Sequence, residues 1–268
     1  MAQKIIEIKV PADLNLSSMV RTMASDVFRM MRFPAAWCDR LKLVVDELFM
    51  NAVKYGSTPG VSEVHIRFIL ETDWVEFQIS DDGTGPLKTT PEELQHRVET
   101  NEQRQTITNT SGRGLAMITH LWTDEFKVAK SEWGGIMLGF KKKIETTPPP
   151  APPTPVVPIA PATPAPLSGV SPFKGAVAPF ALRGEMDSMS MENIAAAMEK
   201  QIHTLAPGSL LALDFKEVSY INSTFIGYLA SWYNEMAKKG GAIKLINTND
   251  QVKDVINLVG LGRIMPLQ

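Results

Sequence analysis

Between Pro148 and Pro166 the chain reads PPPAPPTPVVPIAPATPAP, and ten of these nineteen residues are proline. No charged residue occurs from Thr146 to Phe173. Proline has no backbone N–H and a fixed φ, so such a run builds neither a helix interior nor a sheet ladder. It also lacks the large apolar side chains that a core needs. The 268 residues must therefore fold as two units, 1–145 and 173–268, with 146–172 as a linker. Extended as polyproline II at ~3.1 Å per residue, the proline run reaches on the order of 60 Å. A PxxP ligand is the competing reading, though no Arg or Lys flanks the run itself.

The first unit contains LKLVVDELFMNAVKYG at 41–56. Leu41, Val44, Val45, Leu48 and Ala52 recur at helical spacing and predict an amphipathic helix. Glu47 and Asn51 then stand one turn apart on a single face. A carboxylate beside an amide oxygen can activate a hydroxyl and hold Mg²⁺, although a solvated helix face carries such pairs without any chemistry.

Two glycine segments lie downstream. The alternating stretch Trp74–Ile79 predicts a strand and leads into Ser80–Asp81–Asp82–Gly83–Thr84–Gly85. Ser111–Gly112–Arg113–Gly114–Leu115 comes later, and neither segment is a P-loop, because GxxxxGK[ST] is absent. Each alone could be a tight turn. Between them, Thr90–Pro91–Glu92–Glu93 is a capping box with proline at the first helical position. The remainder of 86–110 is polar and reads either as a mobile lid or as a plain surface loop.

In this order and spacing the segments resemble the nucleotide-binding boxes of the Bergerat-type ATPases, the superfamily of histidine kinases, gyrase-like ATPases and Hsp90. The resemblance implies ATP and Mg²⁺ as cofactors and gives each residue a role. Glu47 would be the general base and Asn51 the Mg²⁺ ligand. Asp81 would accept from the adenine amino group. Asn51, Lys54, Asp81, Gly83, Gly85, Gly112, Arg113 and Gly114 make up the implied cofactor-binding set. The roles suit the chemistry: Mg²⁺ takes oxygen ligands, a carboxylate only accepts, and a helix start offers N–H groups to phosphate.

Only about 40 residues, none of them His, precede the helix box, which leaves no room for the phosphoacceptor hairpin of a sensor histidine kinase. The four histidines, His65, His96, His120 and His203, are scattered and read as ordinary strand, helix or surface residues. Over residues 5–143 the chain most resembles the small anti-sigma-factor serine/threonine kinases, from the opening strand KIIEIKV to the closing strand GGIMLGFKKKIE. Those kinases are commonly homodimers through the kinase domain.

In the second unit, strands are expected over 173–183, 210–215 and 242–246. Helices are expected from Ser190 as N-cap, from about Thr224 to Lys238, and over Asp250–Val259. Alternating strands and helices give an α/β layered unit. The segment LDFKEVSYINSTFIGYLAS, 213–231, resembles the STAS signature of anti-sigma-factor antagonists. There an Asp-Ser-Ser/Thr-Gly run opens a helix and presents the phosphoacceptor hydroxyl. Thr224 stands at the acceptor position and Ser223 beside it, while either hydroxyl could equally be the helix N-cap. Asn222 replaces the acid and Phe225 the glycine. A bulky Phe225 at the surface would crowd a kinase cleft, so self-phosphorylation is expected to be slow or absent.

The fold class expected is thus α/β: a Bergerat-type α/β sandwich ATPase unit and a STAS-type α/β unit joined by a proline-rich linker. The expected function is a kinase of a partner-switching pathway. Its partners would be a sigma factor, STAS-domain antagonist proteins, or its own STAS domain. The alternative is a non-catalytic regulator for which ATP is only a conformational ligand. A net charge of −2 suggests no nucleic-acid partner. No apolar run spans a membrane, MAQKIIEIKV is a strand rather than a signal peptide, and a single cysteine, Cys38, fits a reducing cytoplasm.

Overall fold

A computed structural model describes residues 3–86, 89–96, 122–147 and 179–268. The chain divides into two compact units, Met1–Pro149 and Pro150–Gln268.

The first unit is built on an antiparallel sheet of five strands, β1 (Lys4–Pro11), β2 (Glu63–Leu70), β3 (Trp74–Ser80), β4 (Glu125–Lys130) and β5 (Ile136–Lys143), in the order β1-β2-β3-β5-β4. The alternation visible in the sequence settles which face is covered. Val64, Ile66, Phe68 and Leu70 of β2, Val75, Phe77 and Ile79 of β3, and Leu138 and Phe140 of β5 are all buried. They meet α1 (Ser17–Met30) and α2 (Ala35–Asn51). Phe28 of α1 packs edge-on against Phe68 at 6.2 Å, and Phe77 stacks on Phe140 at 5.5 Å. Each such ring contact adds about 0.5–1.5 kcal/mol beyond area burial.

The two helices are joined by a buried ion pair. Arg21 of α1 meets Asp46 of α2 at 2.5 Å, both side chains almost fully enclosed, and Ser17 also donates to the same carboxylate oxygen. Losing either charged partner would strand the other, a cost of about 3–5 kcal/mol. The pair therefore fixes how α2 lies, and Glu47 is the next residue along.

At its end α2 widens into a single π-helical turn, Ala52–Gly56, before Ser57 turns extended. Such turns insert one extra residue and re-aim the chain beyond them. The capping box at Thr90 is formed: Glu93 N–H donates to Thr90 Oγ1 and Thr90 N–H to Glu93 Oε2, both at 3.2 Å, and residues 91–96 are helical.

The second unit has three parallel strands, β6 (Phe180–Met186), β7 (Leu210–Ile221) and β8 (Ala242–Ile246), in the order β6-β7-β8. Helices α3 (Ser188–Thr204), α4 (Ser223–Lys238) and α5 (Asp250–Leu258) follow the strands in turn. Leu211, Leu213 and Phe215 of β7 are buried, as are Met198 and Ile202 of α3 and Leu229 and Trp232 of α4. Two expectations are corrected here. The N-cap of α3 is Asp187, whose side chain accepts from Met189 and Ser190 N–H, and Ser190 closes the box by accepting from Asp187 N–H at 2.9 Å. Strand β7 runs to Ile221 rather than ending at Phe215, because it must pair with β6 as far as Met186. Of the first expected strand region, 173–178 lies outside the described residues.

Candidate functional site

Asp81 follows the last residue of β3 and is 6 % exposed. Its Oδ1 accepts from the N–H groups of Gly83 at 3.0 Å and Ile136 at 3.1 Å, and its own N–H donates to Ile136 O at 3.1 Å. Two charge-assisted bonds to backbone groups fix the carboxylate in one orientation. Close packing fixes it as well. A Cβ added at Gly56 would overlap the Asp81 carboxylate near Oδ2, and one at Gly135 would overlap Oδ1. The carboxylate thus lies between two stretches of bare backbone, which leave room for it only because neither residue carries a Cβ. Gly83 takes φ +68 and lies against the turn at Gly134–Gly135.

The same loop is tied to the end of α2. Gly85 N–H donates to Gly56 O at 3.2 Å, Thr58 N–H to Thr84 Oγ1 at 3.1 Å, and Thr58 Oγ1 to Thr84 O at 3.2 Å. A Cβ at Gly85 would strike Tyr55 O and Ser57 N. Asp82 completes the loop by accepting from Thr84 N–H and Thr84 Oγ1. Partial burial works to raise its pKa, but these bonds and one from Ser62 outweigh it and hold the carboxyl below the usual range.

On the last turns of α2, Glu47 and Asn51 are half-buried, and Asn51 Nδ2 lies 3.5 Å from Glu47 Oε1. With the amide nitrogen turned to the carboxylate, the amide oxygen lies on the other side of the group, where a cation could meet it. Lys54 is half-buried in the π turn. The fold thus brings the end of α2 and the Asp81–Gly85 loop together through direct bonds. Gly112, Arg113 and Gly114 lie outside the described residues. Among the described residues, no cluster of three or more His, Cys, Asp or Glu could hold a metal ion. A single amide ligand still suits Mg²⁺, which keeps phosphate and water in its shell. Gly56 and Gly135 escaped the sequence reading. Gly56 ended a helix and could have been noticed as its stop signal, whereas only the fold brings Gly135 to Asp81.

In the second unit Asn222 is buried and caps α4, its Oδ1 accepting from Phe225 N–H at 3.1 Å, and its own N–H donates to Met186 O at 3.1 Å. The cap is therefore neither Ser223 nor Thr224. Both hydroxyl residues occupy the first turn and are half-buried, and Thr224 Oγ1 shares a 2.9 Å hydrogen bond with Ser188 Oγ at the start of α3. Phe225 corrects the expectation built on it. It is 0 % exposed and packs edge-on against Phe215 at 5.9 Å and Trp232 at 6.1 Å. A side chain turned into the core cannot crowd an incoming cleft.

Comparison with known proteins finds two family models that match this chain. Residues 10–138 match the family model of the histidine kinase-like ATPase domain. Residues 172–267 match that of the Mlab, STAS domain. Over 86 residues, 32 % of this chain and 76 % of the relative, the chain is 28 % identical to the anti-sigma-B factor antagonist of Bacillus subtilis (strain 168). A solved structure of the anti-sigma factor antagonist SpoIIAA in its unphosphorylated form matches 33 % of this chain and 76 % of its own at 25 % identity, with a TM-score of 0.29. Among the described residues no helix is long and apolar enough to cross a membrane. The chain is a mixed α/β protein in which a histidine kinase-like ATPase domain is followed by a STAS domain.

Proposed function

We propose that the N-terminal domain is an ATP-dependent protein serine/threonine kinase of a partner-switching pathway that controls a sigma factor. Its acceptor is a hydroxyl of a STAS domain, either its own or that of a separate antagonist protein. The observation that carries this reading is the buried Asp81 carboxylate, held by two backbone donors between bare glycines and bonded through its loop to the helix bearing Glu47 and Asn51. In this reading Asp81 accepts from the adenine amino group. Asn51 offers its amide oxygen to Mg²⁺, which supplies charge neutralisation between the phosphates when bound. Lys54, Gly112, Arg113 and Gly114 complete the cofactor-binding set that the resemblance implies.

Glu47 takes the proton of the acceptor hydroxyl. The hydroxyl oxygen forms a bond to the γ-phosphorus, the bond to the β,γ-bridging oxygen breaks, and ADP leaves. Positioning and charge stabilisation supply most of the rate in such transfers. Thr224, with Ser223 next to it, is the acceptor in the STAS domain. Its place in the first turn of α4 favours an added phosphate through the helix N–H groups and dipole. The name of the Bacillus relative, an anti-sigma-B factor antagonist, supports a sigma-factor pathway. The protein would act in the cytoplasm as a homodimer through its kinase domain, without touching nucleic acid or membrane. The proline-rich linker would keep the two domains at an effective concentration of roughly millimolar.

Calorimetric titration with Mg²⁺ and ATP tests the nucleotide half. Asp81→Asn should weaken binding by ~1–3 kcal/mol, because one amide rotamer sets a donor against the adenine donor. Unchanged affinity would remove Asp81 from its role.

A further inference from the structure

On the sheet face away from the helices, the indole of Trp133 stacks on the imidazole of His65, with centroids 3.7 Å apart and planes 16° from parallel. Trp133 belongs to the β4–β5 turn, and His65 to β2, where it pairs across the sheet with Ser80, the residue before Asp81. Ser80 in turn pairs with Met137 of β5. The stack therefore reaches from the turn across β3 to β2 and lies over the start of the Asp81 loop. The turn itself is closed by Ser131 N–H to Gly135 O at 2.9 Å, Gly134 N–H to Ser131 O at 3.2 Å, and Trp133 N–H to the buried Ser131 Oγ at 3.1 Å. Its far end, Gly135–Ile136, supplies one wall and one hydrogen bond of the Asp81 cradle.

Trp133 is 40 % exposed. Its indole lies flat on the neighbouring imidazole. The groups around His65 are Lys9 of β1, Glu63 of β2 and Asp82 of the loop. Burial, then Lys9, push the imidazole below its ordinary value, so at neutral pH the stack is between two neutral rings.

We propose that Trp133 and His65 form a brace that positions the Gly134–Gly135 turn against Asp81 and so sets the selectivity of the site for an adenine base. Both are positioning residues and touch no nucleotide. The proposal rests on the reading of Asp81 as the base-recognising group. Without the stack the turn loses its side-chain anchor on β2, Gly135 shifts within the turn, and the Ile136 N–H is aimed less well at Asp81 Oδ1. The carboxylate then no longer holds the orientation that discriminates a 6-amino group from a 6-oxo group.

The test measures the dissociation constants of the full chain for ATP and for inosine triphosphate, each with Mg²⁺, alongside the melting temperature. Trp133→Ala and His65→Ala should each weaken ATP binding about 3–10-fold, the range expected for one aromatic pair. Inosine triphosphate binding should change little, so the preference for adenine collapses. The double variant should lose no more than either single one, and Trp133→Phe should recover most of the preference. The brace is overturned if the single variants keep the wild-type ratio of the two constants, whether both affinities hold or both fall together. Failure of the unmutated chain to bind either nucleotide would instead overturn the reading of Asp81, and the brace with it.

Discussion

The two ends of the proposed reaction are built in different ways. The Asp81 carboxylate is held by groups far apart in the chain: Ile136 lies 55 residues away, and Gly56 arrives from the end of α2. The Thr224 hydroxyl sits at a helix start that Asn222 caps within three residues, and it bonds to another hydroxyl, that of Ser188. A nucleotide pocket, the role proposed for Asp81, needs an orientation that thermal motion does not blur, and the many constraints on this carboxylate fit that role. An acceptor must be presented to a second surface, so a short capped turn with polar neighbours suffices. Substitutions around Asp81 should therefore change binding and catalysis steeply, while those at the α4 start should act gently unless they reach the core beneath it.

The largest effect is expected at Glu47. Glu47→Gln keeps the shape of the side chain but cannot take a proton, and phosphoryl transfer should fall ~10²–10⁴-fold. Nucleotide affinity should stay near wild type in the same calorimetric titration, because Gln preserves the contact with Asn51. Transfer at the wild-type rate would deny Glu47 its role as base.

Next comes Phe225. Phe225→Ala empties a site enclosed by Phe215 and Trp232, so unfolding of the STAS domain in urea should be easier by about 3–5 kcal/mol. A change below about 1 kcal/mol would mean that the ring is not in the core. Gly56→Ala probes the other region. Its new methyl overlaps the Asp81 carboxylate, an overpacking cost of about 1–3 kcal/mol, and ATP affinity should fall more than stability does. Equal losses would show that Gly56 serves packing alone.

How much of this the sequence disclosed depends on chain separation. The helix of Glu47 and Asn51, strands β1, β3 and β5 and the capping box at Thr90 are local patterns, readable as such, whereas β4 went unread. The cradle is not, because nothing near Gly135 marks it as a neighbour of Asp81; only the β3–β5 pairing brings them together. Phe225 is the instructive case. Its position at a helix start suggests a surface residue, yet Phe225, Leu229, Trp232 and Met236 recur at spacings of four, three and four and are all buried. The helical period is in the sequence, and a family pattern with glycine at that place obscures it.

The smallest effects belong to the α4 cap. Asn222→Ala should destabilise the STAS domain by ~1 kcal/mol. Asn222→Asp should be neutral or stabilise by a few tenths, since a carboxylate caps as well and meets the positive end of the helix. A large loss from Asn222→Asp in a denaturant titration would show that a buried charge at this site is not tolerated, and that the asparagine is required.

The most direct measurement is phosphate transfer between two variants of the full chain. A Thr224→Ala chain, with its kinase domain intact, is mixed with a Glu47→Gln chain, with its acceptor intact, and incubated with Mg²⁺ and γ-labelled ATP. Mass spectrometry then locates the label. The expected result is phosphate on Thr224 of the Glu47→Gln chain, and none when that chain is incubated alone. Absence of label from every STAS domain present, in a protein that binds ATP, would contradict transfer to the chain's own STAS domain; absence of label also from an added separate antagonist protein would contradict the assignment of a serine/threonine kinase acting on a STAS hydroxyl.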